Sequence, residues 1–182
     1  MSFAADKPVA IDTDDHQKPW GAAHDNTRSP RFVAACEAHF KRPLTFMDLG
    51  CSGGGLVLDF ILRGHRGFGV EGSDHPKGAQ RAEWRVLRNN LFTADITRPF
   101  RLSEIDGGEP IQCDVISMWE VMEHIADEDL PGLFANIKAH LKPDGLFIGS
   151  VALNADDHNG ASYHRTVKPQ DWWQKRYAEL GL

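Results

Sequence analysis

A glycine-rich turn between two apolar segments constrains the fold of this chain more than any other feature. Residues 50–55 are Gly-Cys-Ser-Gly-Gly-Gly, and they lie between the apolar segment 45–49 and apolar residues at helical spacing in 56–61. This order predicts a strand, a tight turn and a helix. Glycine lets the backbone approach a ligand closely, and the first amides of a helix attract anionic and polar groups. Such a unit is therefore typical of nucleotide-binding proteins.

Alternating apolar and amphipathic segments extend this unit to a whole sheet. They predict an α/β fold of the Rossmann-like, doubly wound type, with a mostly parallel sheet in the middle of three α/β/α layers. Residues 97–112 are predicted to be a connector or a short helix. The predicted strands are 44–49, 67–71, 91–96, 113–118 and 146–153, and the predicted helices are 30–42, 54–63, 76–90, 130–141 and the segment after 169.

Length and composition indicate one domain. The chain has 182 residues, of which 41% are hydrophobic, and this is enough for a sizeable core. We assign the domain to residues 29–182. Residues 1–28 are polar and rich in Asp, His and Pro, and they are predicted to be a flexible N-terminal segment. In the alternative interpretation, Trp20 to Arg28 folds over a bound ligand as a lid.

Charge and cysteine content predict a cytoplasmic protein that does not bind nucleic acid. The 26 acidic and 20 basic side chains give a net charge of −6, whereas nucleic-acid binders usually carry clustered Lys and Arg. The three cysteines are scattered, which is typical of free thiols in a reducing compartment. No apolar run approaches the ~20 residues of a membrane span, and no secretory signal pattern is visible.

Characteristic side chains lie at the carboxyl ends of four predicted strands, at the edge where a parallel sheet opens its ligand crevice. They are Asp48, Glu71, Asp95 and Trp119. A carboxylate at the position of Glu71 can accept two hydrogen bonds from a ribose diol. Asp95 would accept from the exocyclic amine of an adenine, and Ile96 would cover a face of the ring. These residues therefore predict one site for a nucleotide-like ligand.

The same segments resemble the motifs of the class I S-adenosylmethionine-dependent methyltransferases, in the same order. The resemblance covers about residues 44–153. A dinucleotide-binding oxidoreductase would more often show G-x-G-x-x-G, which this chain fits only with a substitution. The matching segments are 48–54 (Asp-Leu-Gly-Cys-Ser-Gly-Gly), 69–71 (Gly-Val-Glu), 94–96 (Ala-Asp-Ile), 113–118 (Cys-Asp-Val-Ile-Ser-Met) and 141–147 (Leu-Lys-Pro-Asp-Gly-Leu-Phe).

The resemblance implies S-adenosylmethionine as the cofactor and gives roles to the matching residues. The turn 50–54 would hold the methionine part, Glu71 the ribose hydroxyls, and Asp95 with Ile96 the adenine. Ser52 stands where many members of the superfamily have glycine. The implied cofactor-binding residues are Asp48, Gly50, Cys51, Ser52, Gly54, Glu71, Asp95, Ile96 and Trp119.

An E-x-x-E-H segment after the fourth predicted strand is the candidate for the catalytic part of the site. If a helix has started there, Glu120, Glu123 and His124 share one helical face and can bind a divalent cation. The cation would orient vicinal hydroxyls and lower the pKa of the one to be methylated. His164 is the first candidate for a fourth ligand, and His158 is the second. Without a metal, His124 or His164 is the candidate general base.

This E-x-x-E-H, with a later histidine ahead of a Trp-bearing helix, resembles two metal-dependent branches of the superfamily. One branch is the small-RNA 3′-terminal 2′-O-methyltransferases, and the other is the ubiquinone-biosynthesis O-methyltransferases. By that analogy the metal ligands are Glu120, Glu123, His124 and His164. The candidate ions are Mg²⁺, Mn²⁺ and Zn²⁺.

We predict O-methylation of a small-molecule or sugar-like hydroxyl. Three alternatives stay open: N-methylation of a small amine, 2′-O-methylation of an RNA 3′ end, and a non-catalytic cofactor-binding subunit. The negative net charge argues against RNA as the substrate, because phosphate binding normally needs clustered Lys and Arg. Members of the superfamily usually have two more strands after the last helix, and this sequence stops at residue 182. The sheet would then lack those strands and expose an apolar edge, so we expect a homodimer.

Overall fold

A five-stranded parallel sheet forms the middle of the computed structural model, which describes residues 1–11, 16, 20–158 and 161–181. The chain builds β3 (Arg66–Glu71) and β4 (Leu91–Thr93) on one side of β2 (Thr45–Leu49), and β6 (Cys113–Trp119) and β7 (Leu141–Ser150) on the other. Ligand crevices of such sheets open where the strand order reverses, at the carboxyl ends of β2 and β6. The predicted doubly wound parallel sheet is confirmed. In spatial order the strands are β4, β3, β2, β6 and β7.

Helices cover both faces of this sheet, because successive side chains of a strand point to opposite sides. On β2, Phe46 belongs to the core cluster that contains residues of α2 (Pro30–Phe40) and α3 (Gly55–Leu62), whereas Met47 belongs to the cluster with residues of α5 (Leu130–His140) and α6 (Gln170–Leu180). Both side chains are fully buried. The predicted three-layer arrangement is therefore confirmed. The four longer helices are α2, α3, α5 and α6.

The segment predicted as one helix at 76–90 contains two short pieces. They are α4 (His75–Gly78) and a 3₁₀ turn at Ala82–Arg85. Gln80 lies between the two pieces and has a φ of 50°. Ala82 is the first residue of the 3₁₀ turn and has a φ of 45°. This left-handed conformation interrupts a right-handed helix. The prediction of a continuous helix is therefore wrong, although Trp84 is buried as the sequence indicated.

A second, two-stranded sheet lies in segments for which the sequence predicts little regular structure. β1 (Ser2–Ala5) pairs antiparallel with β5 (Phe100–Ser103). Phe3 stacks on Phe92 of β4 with a ring-centroid distance of 4.5 Å, and this contact holds β1 against the main core. A short helix, α1 (Trp20–His24), also forms within the predicted N-terminal segment. No local pattern could show the β1–β5 pairing, because the two strands are distant in the sequence.

The segment after β6 also differs from the sequence prediction. The strand continues through Trp119, Glu120 has a φ of 51°, and a 3₁₀ turn follows at Met122–His124. A left-handed residue cannot continue a right-handed helix. Glu120 therefore does not share a helical face with Glu123 and His124, and the expected i, i+3, i+4 arrangement is wrong.

A small hairpin leads from β7 toward α6. It consists of β8 (Asp157–His158) and β9 (Ala161–Ser162). The side chain of His158, the second candidate for a fourth ligand, lies outside the described residues, as do 12–15 and 17–19 of the predicted N-terminal segment. Within the described part of the chain, every helix is too short or too polar to cross a membrane.

Candidate cofactor and active site

A cavity of about 1000 Å³ opens at the carboxyl ends of β2, β3, β4 and β6. Its volume is typical of sites that enclose a cofactor or a small molecule. Of the predicted site residues, Gly54 is the one that does not line it. The predicted residues in its wall are Asp48, Gly50, Cys51, Ser52, Glu71, Asp95, Ile96, Trp119, Glu120, Glu123, His124 and His164.

The glycine turn between β2 and α3 is held by its own backbone and by β3. The amide of Gly50 donates to the carbonyl of Val70 at 2.8 Å, and the amide of Gly54 donates to the carbonyl of Cys51 at 2.8 Å. Gly50 and Gly54 have φ values of 79° and 85°, a region that favours glycine. A Cβ atom at Gly50 would collide with the side chain of Val121. Glycine is therefore required there for both conformation and packing.

Glu71, at the end of β3, is anchored by two backbone amides. Its Oε2 accepts from the amide of Ser52 at 2.7 Å, and its Oε1 accepts from the amide of Ser73 at 3.1 Å. These bonds orient the carboxylate and tie the glycine turn to β3. A carboxylate has about four lone-pair sites and is a suitable acceptor for the hydroxyls of a ligand.

Asp95, just after β4, is held by a threonine and a lysine. Its Oδ1 accepts from the amide and the hydroxyl of Thr97 at 3.0 and 2.6 Å, and its Oδ2 lies 3.1 Å from the ammonium of Lys7. Burial alone would raise the pKa of Asp95, but the hydrogen bonds from Thr97 and Lys7 outweigh burial and lower this pKa below its ordinary value. Asp95 is therefore ionised at neutral pH and can accept a hydrogen bond from an amine.

Asp48, by contrast, is a carboxyl group with a raised pKa. Its side chain is buried, and its Oδ1 accepts from the hydroxyl of Ser117 at 2.5 Å. Burial raises the pKa of Asp48 to about 7, the hydrogen bond from Ser117 opposes this shift, and the nearby charge of Glu71 adds to it. Asp48 is therefore present in both neutral and charged forms near neutral pH.

The N-terminal segment 20–28 lies over the glycine turn and contacts Ser52. The Ser52 hydroxyl is within hydrogen-bond distance of the carbonyls of Gly21 (3.0 Å) and Asp25 (2.7 Å). The guanidinium of Arg81 donates to the same hydroxyl and to the carbonyl of Ala22, both at 2.9 Å. The residues of this segment that line the cavity are Trp20, Gly21, Ala22, Asp25 and Thr27. That the segment acts as a lid stays a prediction.

Three of the four predicted metal ligands meet beyond the end of β6. Ligand atoms of Glu123, His124 and His164 all lie within 4.8 Å of one another. The loop that carries His164 is fixed to the 3₁₀ turn, because the amides of Arg165 and Thr166 donate to the carbonyl of Glu123 at 2.7 and 2.9 Å. Glu120 lines the same cavity but lies outside this cluster.

The cluster combines a buried carboxylate with an oriented imidazole. The side chain of Glu123 is 0% exposed. Its Oε1 accepts from the amide of Ala152 at 3.1 Å, and its Oε2 accepts no hydrogen bond from any residue that the structure describes. Burial raises the pKa of Glu123 above its ordinary value. Nδ1 of His164 donates to the carbonyl of Asn154 at 2.5 Å, which leaves the Nε2 lone pair of His164 for a proton or a metal ion.

This chain matches a known protein family over most of its length. The model of a methyltransferase domain family matches residues 22–181. This chain belongs to that family. The matched residues begin within α1, and the domain boundary at residue 29 stays a prediction.

Individual relatives resemble this methyltransferase domain more distantly. The ubiquinone biosynthesis O-methyltransferase of Neisseria meningitidis serogroup C (strain 053442) is 32% identical over 112 residues, which are 59% of this chain and 44% of that protein. The chain therefore spans less than half the length of that relative.

Solved structures share the fold of this methyltransferase domain. The 1,6-didemethyltoxoflavin-N1-methyltransferase of Burkholderia thailandensis is 19% identical, has a TM-score of 0.59, and matches over 91% of this chain and 72% of its own. A TehB-like S-adenosylmethionine-dependent methyltransferase from Corynebacterium glutamicum is 17% identical, has a TM-score of 0.59, and matches over 91% and 79%.

The residues that support the predicted carboxylates in this methyltransferase domain were not among the predicted site residues. Ser117 reaches Asp48 because the two are register partners on adjacent strands. Lys7 and Arg81 reach the site from distant segments, so no local signal indicated them. The spacing of Thr97 from Asp95 is one that commonly forms a local side-chain turn, and this pattern could have revealed Thr97.

Proposed function

We propose that this chain is an S-adenosylmethionine-dependent methyltransferase that methylates a hydroxyl group of a small molecule. The observation that carries the proposal is the carboxylate of Glu71, which two backbone amides hold beside the glycine turn in the wall of the cavity. A carboxylate held in this position is a suitable acceptor for the two hydroxyls of a ribose. The likeness to the ubiquinone biosynthesis O-methyltransferase supports a hydroxyl acceptor.

The remaining cofactor contacts follow from the positions of the strands. Asp95 and Ile96, after β4, would hold the adenine, and the turn between Gly50 and Gly54 would hold the methionine part. The reactive end of the cofactor would then face the segment after β6, from Trp119 to His124. The acceptor would bind on this side, between that segment and the loop of His164.

The chemistry requires mainly orientation and the removal of one proton. Bound S-adenosylmethionine would supply an activated methyl group. A lone pair of the acceptor oxygen would form the new bond to the methyl carbon, while the carbon–sulfur bond would break and leave its electrons on sulfur. The proton of the acceptor hydroxyl passes to a base. Nε2 of His164 suits this role because the carbonyl of Asn154 holds the ring hydrogen on Nδ1. His124 is the alternative base.

Calorimetry with Glu71→Ala tests the cofactor site. The wild type should bind S-adenosylmethionine and S-adenosylhomocysteine, and Glu71→Ala should weaken both roughly 10- to 100-fold, because charge-assisted hydrogen bonds to the ribose are lost. Glu104→Ala is the matched control, because Glu104 is exposed and pairs with Arg66 at the surface. Circular dichroism shows whether the variant is folded. If the wild type binds neither ligand, the proposed function is wrong.

A screen for methyl transfer separates the alternatives. Phenols, catechols, sugars, small amines and RNA ends are offered with labelled cofactor, and the product identifies oxygen or nitrogen as the methylated atom. A non-catalytic subunit would bind the cofactor but would turn over no acceptor until a partner chain is added.

The cluster of Glu123, His124 and His164 favours metal assistance as a second candidate. The three ligand atoms lie within 4.8 Å of one another, and Glu123 Oε2 lacks a donor among the described residues. One carboxylate with two imidazoles is a donor set that suits Zn²⁺ or Mn²⁺ better than Mg²⁺. These residues would hold the ion, and the ion would lower the pKa of the acceptor hydroxyl.

Titration with Zn²⁺ and Mn²⁺ tests this candidate directly. The wild type should show one class of site, which His164→Ala should lose, while His39→Ala should keep it because His39 is an exposed residue of α2. Activity should fall after exhaustive chelation and return with the ion. Full activity after chelation and in His164→Ala would exclude metal assistance.

A further inference from the structure

A segment that lies outside the family match reaches the cofactor side of the cavity. The matched residues begin at residue 22, whereas the wall of the cavity includes Ala10, which is 6% exposed. We call residues 1–11 the N-terminal strap. Its first part is β1, which pairs with β5 and stacks Phe3 on Phe92. The strap is therefore fixed to the core before it reaches the cavity.

After β1, the strap passes the ends of β4 and β3. The amide of Asp95, just after β4, donates to the carbonyl of Lys7 at 2.9 Å. The amide of Ala10 donates to the carbonyl of Gly72, just after β3, at 2.9 Å. These two backbone bonds place the strap beside both strand ends that carry the proposed adenosine contacts, which are Glu71 and Asp95.

Lys7 also contacts the side chain of Asp95. Its ammonium lies 3.1 Å from Oδ2 of Asp95, and the two side chains are 27% and 8% exposed. Salt screens a partly buried pair less than an exposed one. Oδ1 of Asp95 accepts from the amide and the hydroxyl of Thr97, so an amine of a ligand would approach Oδ2. Lys7 therefore fixes the position of the oxygen that would accept from this amine.

We propose that the N-terminal strap forms the adenine wall of the cofactor site and that Lys7 is a positioning residue, which orients Asp95 toward the exocyclic amino group of adenine. The inference rests on the proposed function, because it takes S-adenosylmethionine as the ligand. An oxo group in place of the amino group would present an acceptor instead of a donor to Asp95. The site should therefore select adenine over hypoxanthine.

Two ligands that differ in this one group measure the selection. S-Adenosylhomocysteine carries the exocyclic amino group, and S-inosylhomocysteine carries an oxo group in its place. In calorimetry, the wild type should bind the adenine compound at least about tenfold more tightly, because the oxo compound offers Asp95 an acceptor in place of a donor. Equal affinities would overturn the inference and leave the proposed function intact. Failure of the wild type to bind either ligand would overturn the proposed function itself.

Substitutions of Lys7 test its role as a positioning residue. Lys7→Met should weaken S-adenosylhomocysteine about tenfold and S-inosylhomocysteine less than about threefold, so that the ratio of the two affinities falls. Lys7→Arg keeps the positive charge and should restore most of the ratio. A merely structural defect would weaken both ligands by the same factor. Circular dichroism shows whether each variant is folded.

An exposed lysine provides the matched control. Lys175 is 78% exposed and pairs with Glu179 on α6, so Lys175→Met should keep both affinities of the wild type. An unchanged ratio in Lys7→Met, or equal weakening of the two ligands, would overturn the role of Lys7. Tighter binding in Lys7→Met would also overturn it, because the lysine would then compete with the ligand for Asp95.

A larger side chain at Ala10 tests the wall independently of Lys7. Ala10→Leu should weaken S-adenosylhomocysteine by about tenfold or more, because the added atoms would enter the adenine side of the cavity. Methylthioadenosine, which lacks the amino-acid part, should weaken by the same factor. Ala4→Leu is the matched control, because Ala4 is exposed on β1 and does not line the cavity. Unchanged affinities in Ala10→Leu would overturn the assignment of the strap to this wall.

Discussion

Ser52 adopts a backbone conformation that favours glycine, and its side chain explains why a serine can stand there. Its φ is 44°, in the left-handed region that costs a residue with a Cβ about 1–2 kcal/mol. The hydroxyl offsets this cost through its contacts with Gly21, Asp25 and Arg81. The presence of a serine at this position is therefore linked to the N-terminal segment over the turn.

Two substitutions of Ser52 separate the side chain from the backbone. Ser52→Ala loses the hydroxyl contacts and keeps the left-handed strain, so we expect it to lower the free energy of unfolding by about 1–2 kcal/mol. Ser52→Gly loses the same contacts but relieves the strain, and it should be roughly 1 kcal/mol more stable than Ser52→Ala. Urea unfolding followed by circular dichroism measures both values. An alanine variant as stable as the wild type would contradict this account.

At the scale of elements, His140 joins the end of α5 to β5. Its Nδ1 donates to the carbonyl of Asn136 at 2.9 Å, and its Nε2 accepts from the amide of Leu102 at 3.2 Å. The ring is buried and stacks on Phe100. Burial lowers the pKa of His140 below its ordinary value. Protonation would put a hydrogen on Nε2 that faces the amide hydrogen of Leu102.

The lowered pKa of His140 predicts that stability depends on pH. The unfolded chain takes up this proton below the ordinary pKa of about 6.5, whereas the folded chain takes it up only at lower pH. The contribution of His140 is therefore fully present above about pH 6.5 and is lost as the pH falls toward the lowered pKa. Urea unfolding at about pH 7.5 and about pH 5.5 should show less pH dependence in His140→Gln than in the wild type.

A surface histidine provides the control for that measurement. His39 is exposed on α2, so His39→Gln should keep the pH dependence of the wild type. If His140→Gln and His39→Gln show the same pH dependence, His140 does not contribute as described.

At the scale of the whole molecule, β7 is an edge strand of the central sheet in the described part of the chain. It carries apolar side chains that are partly exposed. Leu146 and Ile148 are each 39% exposed. They are two positions apart and therefore point to the same side of the strand. An edge strand with exposed apolar residues favours association with another chain. The homodimer that the sequence suggested stays a prediction.

Charged substitutions on β7 test this prediction. The wild type should self-associate in sedimentation velocity experiments at micromolar concentration, and the double variant Leu146→Lys/Ile148→Lys should shift toward the monomer because lysines oppose edge pairing. Val86→Lys is the control, because Val86 is exposed and lies between the 3₁₀ turn at 82–85 and β4. A wild type that sediments as a monomer throughout would contradict the prediction.

Local patterns were sufficient for the central sheet and for the carboxylates at the carboxyl ends of its strands. Phe46, Met47 and the glycine turn form a strand and a turn because of their own order along the chain, and parallel strands bring Glu71 and Asp95 to one edge of the sheet. The type of each residue and its distance from the end of a strand carry this information, so it could be obtained without knowledge of distant contacts.

The cluster of Glu123, His124 and His164 and the partners of the cavity carboxylates depended on contacts that no local pattern contains. Glu120 has a left-handed backbone conformation. This conformation leaves Glu120 outside the cluster, whereas the buried Glu123 lies beside His124. The position of His164 required the backbone bonds from its loop to Glu123, and the partner of Asp95 came from Lys7 in the N-terminal segment. Burial, and with it the charge balance and the pKa of each group, depends on which distant segments cover a side chain. These properties therefore became apparent only when the chain was folded.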